Sequence, residues 1–158
     1  MANRMHPTSG GAYDQFLVDK NGTRVINTST FELNQGVWDA ASTGSRGTGV
    51  DHVAGMYFDG SFAKAANGGK AVALYSPGTW SGGSSISHTD DDSLTLAGTM
   101  MNAAGPMGPW PRDYSKIEVA MMRDLGYSVV AVPEPESYAM MLAGLSLLGV
   151  IARRRRKA

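Results

Sequence analysis

The chain holds three imidazoles, His6, His52 and His88, and the most chemically loaded setting belongs to the last. His88 closes the run Trp80-Ser81-Gly82-Gly83-Ser84-Ser85-Ile86-Ser87 and is followed at once by Thr89-Asp90-Asp91-Asp92. One histidine beside that acidic run does not make a catalytic zinc site, which takes three protein ligands and one open position. Calcium fits no better. The run lacks the alternating oxygen ligands and closing glutamate of an EF-hand, so Asp90, Asp91 and Asp92 read as a solvated acidic loop. His6 and His52 read as surface residues. The serines have no paired base in view, which argues against a serine hydrolase. The absence of cysteine excludes thiol catalysis, iron–sulfur ligation and disulfides, and agrees with export without proving it.

A second constellation lies at the C-terminal end, where the chain reads as something to be processed. Pro133-Glu134-Pro135 is followed by sixteen uncharged residues, 137–152, and then by Arg153, Arg154, Arg155, Arg156 and Lys157. The prolines fix φ and lack amide donors, so their stretch stays extended and accessible as a recognition strand. The uncharged stretch reaches roughly 24 Å as a helix, at about 1.5 Å per residue, against a hydrocarbon core of roughly 30 Å. Tyr138 at one interface and snorkelling arginines at the other make up the difference, which predicts a single transmembrane helix with its basic end held in the cytoplasm.

That order of parts resembles the PEP-CTERM sorting signal of Gram-negative bacteria. The resemblance implies an exosortase-type membrane cysteine protease as partner, recognising Pro133, Glu134 and Pro135. It also implies residence in the inner membrane among lipid before processing, with the body on the periplasmic side, and then release to the outer surface or to extracellular polysaccharide. Charge agrees with this division. Of 14 basic residues five lie in the tail, leaving nine against 14 acidic ones upstream, so a nucleic-acid partner is not expected.

The elements that position His88 are short. Residues 15–18 and 24–26 flank Asp19-Lys20-Asn21-Gly22-Thr23, whose Asn-Gly pair predicts a hairpin. Residues 70–75 predict a strand ended by Ser76-Pro77-Gly78. Residues 39–49 and 80–85 read as glycine- and serine-rich loops. Ser115 and Glu118 form a capping box and Gly126 a left-handed stop, which predicts a helix over 116–125. Ile117, Ala120, Met121 and Leu125 form its inward stripe, with Lys116, Arg123 and Asp124 facing water.

Taken together, the loop ending in Ser-x-Ser-His, the methionines Met100 and Met101, and the helix closing on Asp124-Leu125-Gly126-Tyr127 resemble the C-terminal half of leishmanolysin-like zincin metallopeptidases. Tyr57-Phe58-Asp59-Gly60, Asn67-Gly68-Gly69 and Val72-Ala73-Leu74-Tyr75-Ser76-Pro77 follow in the order of bacterial relatives, so the likeness covers residues 13–127. It implies that His88 descends from the third zinc ligand, and that Met101, with Met100 as the neighbouring alternative, is the methionine beneath the metal. Yet no H-E-x-x-H occurs in the chain. The first two ligands and the general base are absent, so zinc belongs to a fuller relative and this chain is expected to bind none and to be inactive. Residues 1–11 also contain no apolar leader, and a missing start would explain both absences.

The expected architecture is α+β. Residues 1–131 form a loop-rich, partial zincin-like region with short strands and a closing helix, and residues 132–158 form the sorting signal with its transmembrane helix. The expected function is that of an exported protein delivered to the envelope or surface, a fragment of a zinc-dependent peptidase-like protein. The alternative is a non-enzymatic surface, exopolysaccharide-associated or ice-binding-type protein that shares only the tail.

Overall fold

Side-chain alternation explains the central sheet of the computed structural model, which describes residues 11–47, 49–105, 108–109, 111–129 and 135–155. Strands β1 (Leu17–Asp19), β2 (Met56–Phe58) and β3 (Val72–Leu74) are antiparallel in the order β1-β2-β3. Leu17 lies opposite Phe58 and Phe58 opposite Val72, while Met56 lies opposite Leu74. Successive side chains point to opposite faces. These five apolar residues therefore share one face, and each is 0% exposed. Val25, Ile26, Ala63, Ile86, Leu96 and Met121 complete the core against them. Phe16 and Tyr13 add aromatic contacts to Phe58, with ring centroids 4.9 and 5.5 Å away.

The expected hairpin is present in reduced form. Gly22 takes φ of 81°, and the Asp19 carboxylate accepts the amides of Asn21 and Thr23 at 2.9 and 2.8 Å. Its second arm pairs only through a Val18–Arg24 bridge, and residues 14–16 form a 3-10 turn where a strand was expected. The 70–75 strand is β3. Strand β2 had no strand signal in the sequence.

Helix α1 (Gln35–Ala41) begins at Asn34, whose side chain accepts the Val37 amide at 3.4 Å, and it occupies the start of the segment expected to be loop. Helix α2 (Ser61–Ala66) was also unanticipated. Helix α3 (Lys116–Asp124) has both hydrogen bonds of the expected capping box, and Gly126 sits at φ of 91°. Its Asp124 is not a solvent-facing residue. The carboxylate accepts the amides of Phe62 and Ala63 at 3.0 and 2.8 Å, capping α2 from another helix. Gly60, at the cap position of α2, makes room for this: a Cβ there would lie 2.1 Å from the Asp124 carboxylate. Arg123 stacks 4.1 Å over the Phe62 ring.

The chain divides into two compact units, Met1–Ser128 and Val129–Ala158. The second contains helix α4 (Pro135–Arg155). Among the described residues no helix is long and apolar enough to cross a membrane, which corrects the expectation of a transmembrane helix. The reason is composition. Although α4 has 21 residues, it takes in Glu136, Arg153, Arg154 and Arg155, and its sixteen uncharged residues are diluted by Ser137, Gly144, Ser146 and Gly149. That uncharged part reaches only about 24 Å, so the marginal length was not rescued by its apolar content.

Candidate functional site

A short segment after the glycine- and serine-rich loop extends the sheet beyond β3. The Ile86 amide donates to the Tyr75 carbonyl at 2.7 Å, the Tyr75 amide to His88 at 3.0 Å, and the Asp90 amide to Ala73 at 3.1 Å. Leu74 and Thr89 form an antiparallel bridge. With Tyr57 opposite Ala73 in the β2–β3 ladder, this register lines up Tyr57, Ala73 and Asp90 across the face turned away from the apolar core.

His52 closes over that face. Its Nε2 lies 2.5 Å from Asp90 Oδ2, and the two side chains are only 4% and 3% exposed. Its Nδ1 lies 3.3 Å from the Gly47 carbonyl oxygen. The loop that delivers His52 requires glycine at 47, where φ is 74° and a Cβ would lie 2.4 Å from the Asp51 carbonyl oxygen. Two expectations are thereby corrected. His52 is not a surface residue, and Asp90, 2% exposed, does not belong to a solvated loop. No local pattern announces the pair, since 38 residues separate its members.

Charge is concentrated here. Burial disfavours protonated His52, but the hydrogen bond to Asp90, the Gly47 carbonyl, and the charges of Asp90 and Asp92 outweigh it and raise the imidazole pKa. Burial, followed by the Asp90 charge, raises the Tyr57 phenol. Asp91 is raised by burial and by its two acidic neighbours, against the amides of Ala103 and Ala104 that it accepts. Donor atoms of His52, Asp90 and Asp92 lie within 4.8 Å of one another. A cavity of about 550 Å³ opens beside them, lined among others by Tyr57, Ala73, Asn67 and Lys70. Both ring nitrogens of His52 face oxygen acceptors, so the imidazole is not poised as a free general base.

His88 occupies a different position. It is half-buried, with Nδ1 3.1 Å from the Ser84 carbonyl oxygen. The Thr89 amide donates to the Met101 carbonyl at 2.8 Å, so the histidine and methionine segments are neighbours, with half-buried Met100 preceding Met101. Met101 is anchored in turn by its amide, which donates to Glu118 of α3 at 2.6 Å. Glu118 is 2% exposed, a buried role that its capping-box position did not announce. Among the described residues the three-member group able to hold a metal is His52, Asp90 and Asp92, without His88. The residues around His88 therefore do not fit the three-imidazole zinc centre of the resemblance, and no hydrolytic step is derived from it. His6 lies outside the described residues.

In the tail, Pro135 opens α4, whose last residues include the exposed Arg153 and Arg155; Arg154 is in the same turn. Pro133, Glu134, Arg156 and Lys157 lie outside the described residues. The fold is α+β, built on one three-stranded sheet. A protein-family model described as the PEP-CTERM protein-sorting motif matches residues 131–157. That motif implies recognition by an exosortase and export to the cell envelope or surface. No curated protein and no solved structure matches the chain. The likeness to leishmanolysin-like zincins thus has no homologue or solved structure behind it.

Proposed function

We propose that the chain is a sorted precursor in which an exosortase-type membrane cysteine protease recognises Pro133, Glu134 and Pro135, cuts nearby, and releases the body from the periplasmic side toward the outer surface or extracellular polysaccharide. The match over residues 131–157 carries this reading. The division of the chain at Ser128 and Val129 is in keeping with it, since it sets the matched segment in a unit of its own. The test is expression with and without residues 133–135 in an exosortase-bearing host, followed by intact mass and fractionation. The complete chain should yield a surface or extracellular product shortened by the tail. The deletion should keep the rest of its tail and stay with the cells. A tail retained by both forms or lost by both, with the same location, would overturn the proposal.

A second reading concerns descent of the body from a zinc peptidase-like protein. Its support is the arrangement at His88. An Nδ1–H donated to the Ser84 carbonyl would leave Nε2 as the free lone pair, the tautomer a metal-ligating histidine uses. The backbone bond from Thr89 to Met101 sets the methionine segment alongside. Zinc would then be the cofactor of a fuller relative, with His88 as one of its ligands. Reading the coding frame upstream of Met1 tests it: an H-E-x-x-H helix supports the descent, and an unrelated β body replaces it with the non-enzymatic surface protein.

A further inference from the structure

We propose that His52 Nε2 and the carboxylates of Asp90 and Asp92 form a binding site for a divalent transition-metal ion on the outer face of the sheet, unrelated to the His88 position. The three donors come from two separate segments and converge within 4.8 Å, which no sequence pattern required. Their chemistry is mixed. One imidazole with two carboxylates suits zinc or manganese better than calcium or magnesium, which take all-oxygen sets.

Two features separate this group from an ordinary acidic loop. The first is the contact made by the other ring nitrogen. With Nδ1 directed at the Gly47 carbonyl, Nε2 is the nitrogen turned toward the carboxylates, the second-sphere arrangement that orients ligating histidines. At 2.5 Å, Nε2 and Asp90 Oδ2 share a hydrogen bond and so hold a proton between them in the metal-free protein. A metal ion takes the place of that proton, which leaves to solvent; the two atoms move apart to the wider spacing that two metal bonds need, and the carboxylate of exposed Asp92 joins from the solvent side. The second feature is space. The cavity of about 550 Å³ is lined by both His52 and Asp92 and leaves room for water in the remaining coordination positions.

The experiment titrates the full chain with Zn²⁺, and in parallel with Ca²⁺, following bound metal by equilibrium dialysis and thermal unfolding by circular dichroism. The expected result is one Zn²⁺ per chain, a raised Tm reversed by chelator, and no comparable effect of Ca²⁺. Asp92→Asn should weaken Zn²⁺ binding by at least about tenfold. Because the Asp92 side chain is exposed, this variant keeps the fold and its metal-free Tm. His88→Ala should leave binding unchanged, which separates this site from the zinc-peptidase descent. No zinc-dependent Tm shift in the complete chain would reduce the pair to a structural ion pair and overturn the proposal. So would binding that survives Asp92→Asn but is lost in His88→Ala, or a preference for Ca²⁺.

Discussion

Asp124 shows how a single carboxylate can hold two elements at once. Helix α2 has glycine at its cap position and no side-chain cap of its own, so its first amides depend on an acceptor brought from α3. Asp124→Ala should cost about 1–2 kcal/mol in urea unfolding. Asp124→Asn should cost less, because it keeps one acceptor oxygen. The helical pattern of 116–125 assigned Asp124 to water, since that pattern sees only its own helix and the amides it caps lie 61 and 62 residues away. His52 was misread for the same reason. Its partner was visible in the sequence as an acidic residue, but the approach of the Gly47 loop to the sheet was not.

Among the elements, those with local signals were legible. Helix α3 carries its start and stop in its own residues, Ser115, Glu118 and Gly126, and the structure has both hydrogen bonds of that box. Helices α1 and α2 have seven and six residues, and β2 has three. Such lengths are too short for periodicity to declare itself, and tertiary packing decides them instead. The turn after β1 was legible through Asn21-Gly22, and its acid sensitivity follows from Asp19. Burial opposes the Asp19 charge, but the amides of Thr23 and Asn21 outweigh it and hold the carboxyl below its ordinary pKa. A depressed folded-state pKa stabilises above the unfolded value of about 3.9 and is lost as pH falls through the folded one. The acid limb of the stability profile should therefore shrink in Asp19→Asn, with the two proteins converging below that range. An unchanged acid limb in stability measured from pH 2 to 6 would show that the turn carries no such contribution.

On the scale of the whole molecule, the buried apolar cluster among the described residues runs from Leu17 to Met121. A chain ending at Ser128 should accordingly unfold cooperatively with a Tm within about 2 °C of the complete protein, a window that corresponds to less than about 0.5 kcal/mol for a domain of this size. Calorimetry of both forms decides it. The sorting tail was readable because its signal is contiguous, 27 residues in one stretch. The expectation that it crosses a membrane failed, because that reading weighed length and charge order and gave too little weight to Ser137, Gly144, Ser146 and Gly149. The peptidase likeness was assembled from scattered fragments; the contact between its segments is a backbone bond from Thr89, beside His88, to Met101. The group that could hold a metal among the described residues is a different one, centred on His52.

Among the described residues the sheet has three strands, and neither lateral rim of it is bare. On the β1 side, Val25 donates to Leu17 and Asp19 to Thr23; on the β3 side, Tyr75 and Asp90 bond across to the opposing segment. Such a sheet offers no open ladder on which neighbouring chains could zip together.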